Sequence, residues 1–168
     1  RPLWIVGATG TLGQAFARLC DHRGLEHCIT SRNDVDLCDA DAVESFLAGS
    51  RAWAVVNAAG YVRVDDAERD RERCHRDNVV VATTLAASCE RRGAALACFS
   101  SDLVFDGRAS TPYVESSDVA PLSVYGGSKA TAERRVLAQH PGALIIRTSA
   151  FFGPWDRHNF LACALAAL

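Results

Sequence analysis

The chain alternates between short, continuous apolar runs and longer stretches in which apolar residues recur at helical spacing. The runs LWIV, HCIT, WAVVN, ALACFS and ALIIRTS have the length and composition of strands that are buried on both faces. Between them, as over residues 12–20, apolar side chains return every third or fourth position, which is typical of an amphipathic helix. The pattern therefore predicts strands and helices in alternation.

The ends of the predicted helices are marked by capping residues. Gly24 follows the first helix as a C-terminal stop, and Asp39 can cap the second helix with its side chain. Residues 71–91 are predicted to form one long helix, and the helix that contains VYGGSK continues until Pro141. This order predicts an α/β fold, a doubly wound parallel sheet with helices on both faces.

Length, charge and hydropathy limit the kind of partner. A chain of 168 residues suits one compact domain with a well-buried core. The formal net charge of −2 provides no overall field for nucleic acid or an anionic membrane, so we expect neither as a partner. The apolar runs are far shorter than a bilayer span, and no secretion signal opens the sequence. These features favour a cytoplasmic protein that binds a small molecule.

The seven cysteines are an odd number, lie scattered without a CxxC pair, and mostly have apolar neighbours. This distribution favours reduced thiols that fill the core over a disulfide framework, and it predicts no metal site. The sequence contains no methionine and stops in the apolar run LACALAAL. We therefore expect the natural protein to continue beyond these residues.

Three glycines, Gly7, Gly10 and Gly13, lie three positions apart between the first strand and the first helix. There, glycines allow a tight turn, close approach of a diphosphate to the backbone, and close packing of a helix whose free N–H groups face the anion. The alternative is a glycine-rich turn without a ligand, since an isolated motif of this kind is not specific. Its position at the first strand-to-helix turn favours a dinucleotide site.

The residues after the second strand indicate which dinucleotide would bind. A carboxylate at this position would hold the adenosine ribose 2′-hydroxyl, but the sequence has Ser31 and Arg32. Because an arginine accommodates a 2′-phosphate, we predict NADPH as the cofactor, with NADH as the second choice. The alternative interpretation of Arg32 is a solvated loop cation.

Tyr125 and Lys129 are four residues apart in a predicted helix, which places them on one face and about one turn apart. An ammonium beside the phenol would favour the phenolate and lower the pKa of the tyrosine, as a proton-transfer site requires. The same spacing also arises by chance on an ordinary helix surface. Taken alone, it does not decide between the two interpretations.

Four motifs occur in a fixed order: the glycine turn, NAAG at 57–60, SSDLVFDG at 100–107 and YGGSK at 125–129. In this order they resemble the extended short-chain dehydrogenase/reductase family and, within it, the dTDP-4-dehydrorhamnose reductase family. VDDAE and IIRTSAFFGPWDRHNF are further matches. The resemblance implies an NAD(P)-binding Rossmann domain at residues 1–150. At 151–168 it implies the start of a smaller substrate-binding lobe that is mostly absent from this chain.

The resemblance also implies roles for individual residues. Together with the residues after the second strand, the predicted cofactor site comprises Gly7, Gly10, Thr11, Leu12, Gly13, Ser31, Arg32, Asp36, Leu37, Ala58, Ala59, Tyr61, Tyr125 and Lys129. Tyr125 would be the catalytic acid, Lys129 its partner, and Ser101 the hydroxyl that completes the catalytic set. The substrate would be bound by Ser101, Asp102, Tyr125 and Asn159.

The implied activity is NADPH-dependent reduction of a 4-keto-6-deoxy nucleotide sugar, first of all dTDP-4-dehydro-L-rhamnose to dTDP-L-rhamnose. Leu103 and Ala150 stand where the family commonly has aromatic residues near the sugar, which leaves the sugar open. A nucleotide-sugar epimerase or dehydratase is one alternative, although Asp102 lacks the following glutamate that is typical of dehydratases. A non-catalytic NADP-binding regulatory subunit is another alternative. The partner that we consider, besides the nucleotide sugar, is a second copy of the chain in a homodimer.

Overall fold

The computed structural model describes residues 1–153 and 160–167 of the chain. The helices and strands are, in chain order, β1 (Leu3–Val6), α1 (Thr11–Arg23), β2 (His27–Thr30), α2 (Ala40–Ser50), β3 (Ala54–Asn57), α3 (Arg71–His75), α4 (Val81–Arg92), β4 (Ala95–Ser101), α5 (Val124–Gln139), β5 (Leu144–Thr148) and α6 (Phe160–Ala166). Two 3₁₀ turns (Asp66–Glu68 and Asp102–Val104) and a π-helical turn (Arg76–Val80) lie between them. The predicted alternation of strands and helices is confirmed.

The five strands form one parallel sheet in the order β2-β1-β3-β4-β5. Leu3 at the start of β1 lies opposite His27 of β2 and Ala54 of β3, so β1 is paired on both sides. Because successive strands are added in opposite directions from β1 and β3, the loops that follow these two strands diverge and leave a crevice at their carboxyl ends. The predicted doubly wound α/β fold is confirmed.

Local signals end and begin the helices as predicted. Gly24 has φ 62° and ends α1 in the left-handed conformation that glycine adopts readily. Asp39 caps α2, since its Oδ1 accepts hydrogen bonds from Asp41 N–H at 2.9 Å and Ala42 N–H at 3.3 Å. These contacts satisfy backbone groups that have no partner within the helix.

The helix predicted over residues 71–91 is interrupted. It consists of α3, the π-helical turn and α4 in succession. Asn78 lies in the π-helical turn, is 4% exposed, and uses its side chain for hydrogen bonds to groups outside these elements. A π turn inserts a single residue and is frequent at functional sites. The apolar periodicity does not reveal it, because one extra residue barely changes a helical pattern.

The main core lies between the sheet and helices α2, α4 and α5. Its fully buried side chains include Trp4, Val43, Val55, Leu85 and Val136. Four cysteines are buried as well and form no disulfide: Cys20, Cys74, Cys89 and Cys98. Burial raises the pKa of Cys89 to about 12 and that of Cys98 to about 11. The prediction of core-filling thiols is confirmed for these four.

Among the described helices, none is both long and apolar enough to cross a membrane. The last strand of the described residues, β5, ends at Thr148, so the sheet lies within the predicted dinucleotide-binding region. The division into two domains at residue 150 stays a prediction. Asn159, a predicted substrate residue, lies outside the described residues.

Candidate active site

The loops after β1, β3 and β4 leave the same edge of the sheet, because the carboxyl ends of parallel strands point the same way. The glycine turn follows β1, the NAAG motif begins at the end of β3, and Ser101 ends β4. Helix α5, which carries Tyr125 and Lys129, packs against β4 and against the 3₁₀ turn that follows it. The fold thus brings the four motifs to one end of the molecule.

The glycine turn is constrained by close backbone contacts. Gly7 has φ 108°, which side chains rarely permit, and a Cβ there would lie 2.8 Å from the carbonyl carbon of Ala58. A Cβ at Gly13 would lie 2.2 Å from the carbonyl oxygen of Gly7. The start of α1 therefore packs directly on the turn, and both positions require glycine.

The N-terminus of α1 has the properties of an anion site. Gly10 caps the helix without a side chain that could accept hydrogen bonds from the first turn, and this turn contains no acidic residue. Thr11 is exposed, Leu12 is half-buried and Gly13 is buried. The backbone N–H groups of these residues, together with the helix dipole, can bind a negatively charged group.

The segment after β2 places Ser31 and Arg32 in different surroundings. Ser31 donates hydrogen bonds from its N–H and its Oγ to Asp34 Oδ2, and each bond is 2.7 Å long. These bonds hold the pKa of Asp34 below its ordinary value. Arg32 is exposed and lines an open cavity of about 520 Å³, whose other wall includes Gly60 and Tyr61. The cavity thus connects the end of β2 with the NAAG motif.

The other predicted cofactor residues follow β2 and β3 in the sequence. The side chain of Leu37 is 8% exposed and belongs to the core, so only its backbone can face a ligand. Asp36 is exposed, and its Oδ1 accepts a hydrogen bond from Cys38 N–H at 3.0 Å. Ala58 and Ala59 are half-buried directly after β3. Their roles in cofactor binding stay predictions.

Tyr125 lies in the first turn of α5 and packs against a second buried cluster, formed by Tyr61, Ala67 and Cys74. Burial raises the pKa of Tyr125 above its ordinary value, and the side chain of Ser101 acts in the opposite direction. The phenol is therefore protonated at neutral pH. This is the form in which it can act as a general acid.

Lys129 lies one turn farther along α5. Its Nζ donates a hydrogen bond to the carbonyl oxygen of Phe99 at 3.0 Å and lies 5.8 Å from the ring centroid of Tyr125. Burial lowers the pKa of Lys129. Both side chains share one helix face, as predicted. In this structure burial raises the pKa of Tyr125 and the opposing effect comes from Ser101, so the lowering of this pKa by Lys129 stays a prediction.

Ser101 is 6% exposed at the end of β4. Its Oγ accepts a hydrogen bond from Leu103 N–H and donates one to Asp102 Oδ1, and each bond is 3.1 Å long. The side chain of Ser101 also lowers the pKa of Tyr125, and the side chain of Asp102 is exposed. The three predicted catalytic residues therefore come together, at the end of β4 and on the first two turns of α5.

Asn78 connects the loop after β3 with α5, a role that the sequence does not distinguish from an ordinary helix hydrogen bond. Its Oδ1 accepts from Tyr61 N–H at 2.8 Å, and its Nδ2 donates to Ser128 Oγ at 2.9 Å. Ser128 Oγ in turn donates to the carbonyl oxygen of Tyr125 at 2.6 Å. A Cβ at Gly60 would lie 2.9 Å from Asn78 Oδ1, so the NAAG glycine makes room for this chain of hydrogen bonds.

Glu68, in the VDDAE motif, is a residue that the sequence pattern does not single out. Its Oε1 accepts a hydrogen bond at 2.8 Å from the N–H of Val124, the first residue of α5, from a position 56 residues away in the sequence. A carboxylate is favourable at a helix N-terminus, where N–H groups lack partners within the helix. Glu68 therefore fixes the start of the helix that carries Tyr125.

Known proteins match this chain over nearly its whole length. The dTDP-4-dehydrorhamnose reductases of Aggregatibacter actinomycetemcomitans and Streptomyces griseus are 36% and 37% identical to it over 164 residues. These matches cover 97% and 96% of this chain but 55% and 54% of the relatives. The chain thus spans about half the length of the curated relatives that it matches.

The structural comparison and the family comparison agree. The structure of a dTDP-4-dehydrorhamnose reductase from Bacillus anthracis, in complex with NADP, superposes with a TM-score of 0.93 at 27% identity, covering 99% of this chain and 59% of that one. The sequence model of the family described as RmlD substrate binding domain matches residues 1–167. With its motifs assembled at one edge of a doubly wound sheet, the chain belongs to this RmlD family.

Proposed function

We propose that this chain is the cofactor-binding part of an NADPH-dependent reductase that converts dTDP-4-dehydro-L-rhamnose, a 4-keto-6-deoxy nucleotide sugar, to dTDP-L-rhamnose. The observation that carries the proposal is the meeting of Ser101, Tyr125 and Lys129 at the sheet edge that also holds the glycine turn. Relatives named dTDP-4-dehydrorhamnose reductase support the choice of substrate.

The residues present fit a dinucleotide. The absence of Cβ atoms at Gly7 and Gly13 lets α1 start against the turn, with its first N–H groups open to a diphosphate. Arg32 lines the open cavity after β2 and offers a guanidinium for the 2′-phosphate that distinguishes NADPH from NADH. The related reductase from Bacillus anthracis is in complex with NADP, which supports the same choice.

Each of the three side chains would have a separate role in a ketone reduction. When bound, NADPH would supply the hydride for the carbonyl carbon. Tyr125 would donate its phenolic proton to the carbonyl oxygen as negative charge develops there. Ser101 would donate a hydrogen bond to the same oxygen and stabilise that charge. The ammonium of Lys129, 5.8 Å from the Tyr125 ring, would stabilise the phenolate that remains.

The proposal is tested by following NADPH absorbance with dTDP-4-dehydro-L-rhamnose, in wild type and in Tyr125→Phe. We expect oxidation by the wild type and a loss of about 10²–10⁴-fold in the variant, because only the proton donor is removed. NADPH affinity should be unchanged. Equal turnover by the two proteins would contradict the mechanism.

Other outcomes of this assay change the proposal in defined ways. Oxidation of NADPH with a different 4-keto-6-deoxy nucleotide sugar would keep the reaction and change the substrate. Conversion of a nucleotide sugar without net NADPH consumption would replace the reductase with an epimerase or dehydratase. Tight NADPH binding without conversion of any such sugar would favour the regulatory subunit.

The cofactor preference is tested at Arg32. We expect Arg32→Ala to weaken NADPH binding about tenfold, because a hydrogen bond to a charged group is lost, and to leave NADH binding unchanged. Quenching of protein fluorescence measures both affinities. Arg23→Ala, at the opposite end of α1, is the matched control. Equal losses for the two cofactors would overturn the assignment of NADPH.

We also propose that residues 1–150 form the NAD(P)-binding domain, that the protein is cytoplasmic, and that it forms a homodimer. The sheet that ends at Thr148 supports the first point. The four buried cysteines, Cys20, Cys74, Cys89 and Cys98, form no disulfide, which supports a reducing compartment. Two-fold dimers are the commonest oligomers. Light scattering in the presence of NADPH measures the mass, and a monomer would contradict the dimer.

A further inference from the structure

Arg147, on β5, contacts two other parts of the chain. Its Nε and Nη2 donate hydrogen bonds to the two carboxylate oxygens of Glu133 on α5, and these bonds are 3.0 and 2.7 Å long. Its Nη1 donates to the carbonyl oxygen of Glu115 at 3.2 Å. The guanidinium carbon lies 5.0 Å from the ring centroid of Phe105. One side chain thus joins β5, the catalytic helix and the segment 105–115.

The pair that Arg147 forms with Glu133 is well shielded from solvent. Glu133 is 8% exposed, and the side chain of Arg147 is 25% exposed. The hydrogen bonds to Glu133 hold the pKa of Arg147 above its ordinary value. A bidentate pair in such surroundings has a fixed orientation, because breaking it would leave an unpaired buried charge. Glu133 lies four residues after Lys129, so the pair is anchored next to the catalytic set.

The segment that the guanidinium contacts is tied to the end of β4. Phe105 stacks on Tyr113 with ring centroids 4.1 Å apart, and the Tyr113 hydroxyl donates to Asp106 Oδ1 at 2.8 Å. The N–H of Phe105 donates to the carbonyl oxygen of Asp102 at 3.0 Å, which closes the 3₁₀ turn. Phe105 therefore connects the segment 105–115 with this turn.

The same turn packs directly on α5. A Cβ at Gly126 would lie 2.2 Å from the carbonyl oxygen of Leu103, so turn and helix touch beside Tyr125. We infer that Arg147 and Glu133 are positioning residues that fix the turn and the segment 105–115 on α5. They thereby set the position of the Ser101 hydroxyl relative to the Tyr125 phenol. The inference rests on the proposed reductase function, in which these two groups contact one carbonyl oxygen.

Two variants separate positioning from stability. Arg147→Met leaves Glu133 buried without a partner, which lowers the free energy of unfolding. Glu133→Leu combined with Arg147→Met removes both charges, and apolar residues of similar volume can replace a buried ion pair without loss of stability. The double variant still lacks the bond to Glu115 and the contact with Phe105. Arg134→Met, exposed on the same helix, is the matched control.

Hydrogen exchange measures the contact without any reaction. In the double variant we expect the amides of Leu103 and Phe105 to exchange about fivefold faster than in the wild type, since each loses part of its hydrogen-bond protection. The amide of Val136 in α5 should exchange faster than in the wild type in Arg147→Met, because that variant is less stable, and at the wild-type rate in the double variant. Wild-type exchange at Leu103 and Phe105 in both variants would overturn the inference.

Kinetics gives an independent measure. We expect kcat/KM for the keto sugar to fall about tenfold in both the single and the double variant, with NADPH affinity unchanged, because small displacements of catalytic groups reduce turnover strongly. A double variant with wild-type kcat/KM would overturn the positioning role. If the wild type oxidises no NADPH with any keto sugar, the proposed function fails, and the exchange rates alone decide whether Arg147 fixes the turn.

Discussion

The two halves of the site are built by different means. The half after β1 consists of backbone in close contact, where the space for a Cβ at Gly7 or Gly13 is already filled by carbonyl groups. The half around α5 is held by side-chain hydrogen bonds between residues distant in sequence. These are Lys129 to Phe99, Asn78 to Ser128 and Glu68 to Val124, which span 30, 50 and 56 residues.

This difference determines how each half should fail when it is mutated. A backbone turn without side chains fails through steric conflict, because any added atom must displace a carbonyl group. A side-chain network fails when one partner is removed and the other is left buried without a hydrogen bond. The first kind of failure depends on volume and the second on polarity, so substitutions can separate them.

The largest effect on stability is expected at Gly13. Gly13→Ala places a Cβ 2.2 Å from the Gly7 carbonyl oxygen, and we expect a loss of about 3 kcal/mol in the free energy of unfolding. Urea denaturation measures it. Gly49→Ala, in α2 with no atom within 4 Å of the added Cβ, should instead gain about 0.5–1 kcal/mol. Equal shifts in the two variants would refute the steric account.

A smaller effect is expected at Asn78. Asn78→Ala leaves the N–H of Tyr61 without its partner and removes the donor to Ser128, which should lower the free energy of unfolding by about 2 kcal/mol. Thr83→Ala is the control, since its hydroxyl bonds to Val79 in the preceding turn and its loss should cost about 0.5 kcal/mol. Similar costs for both variants would show that the connection between the loop after β3 and α5 adds nothing to stability.

The smallest effect is expected from pH. Tyr125 must be protonated to act as an acid, and burial places its pKa above the ordinary value, so the acid form persists as pH rises. We therefore expect the rate of ketone reduction to stay level between about pH 6 and 9. The steady-state rate across this range measures it. A decline centred near neutral pH would restore a dominant effect of Lys129 on the phenol.

The sequence predicts what depends on neighbouring residues and misses what depends on distant ones. The strands, the Gly24 stop and the Asp39 cap follow from local patterns and are confirmed. The shared face of Tyr125 and Lys129 follows from helix geometry in the same way. The direction of the Tyr125 pKa does not, because it depends on burial by elements far along the chain.

The same limit applies to residues with two plausible environments. The family resemblance implies that Leu37 belongs to the cofactor site, yet its side chain is part of the buried core. Arg147 lies in an apolar strand pattern that gives no sign of its contacts with Glu133 and Phe105. Only the assembled fold brings these groups together.

Gly126 and Gly127 should differ in the substitutions that they tolerate when variants of this protein are selected. The carbonyl oxygen of Leu103 fills the space that a side chain at 126 would need, whereas a Cβ at Gly127 meets no atom within 4 Å. A mutant library around the catalytic helix should therefore vary residue 127 freely and keep 126 as glycine. Variants that still fold should therefore carry many different residues at position 127 and only glycine at the adjacent position 126.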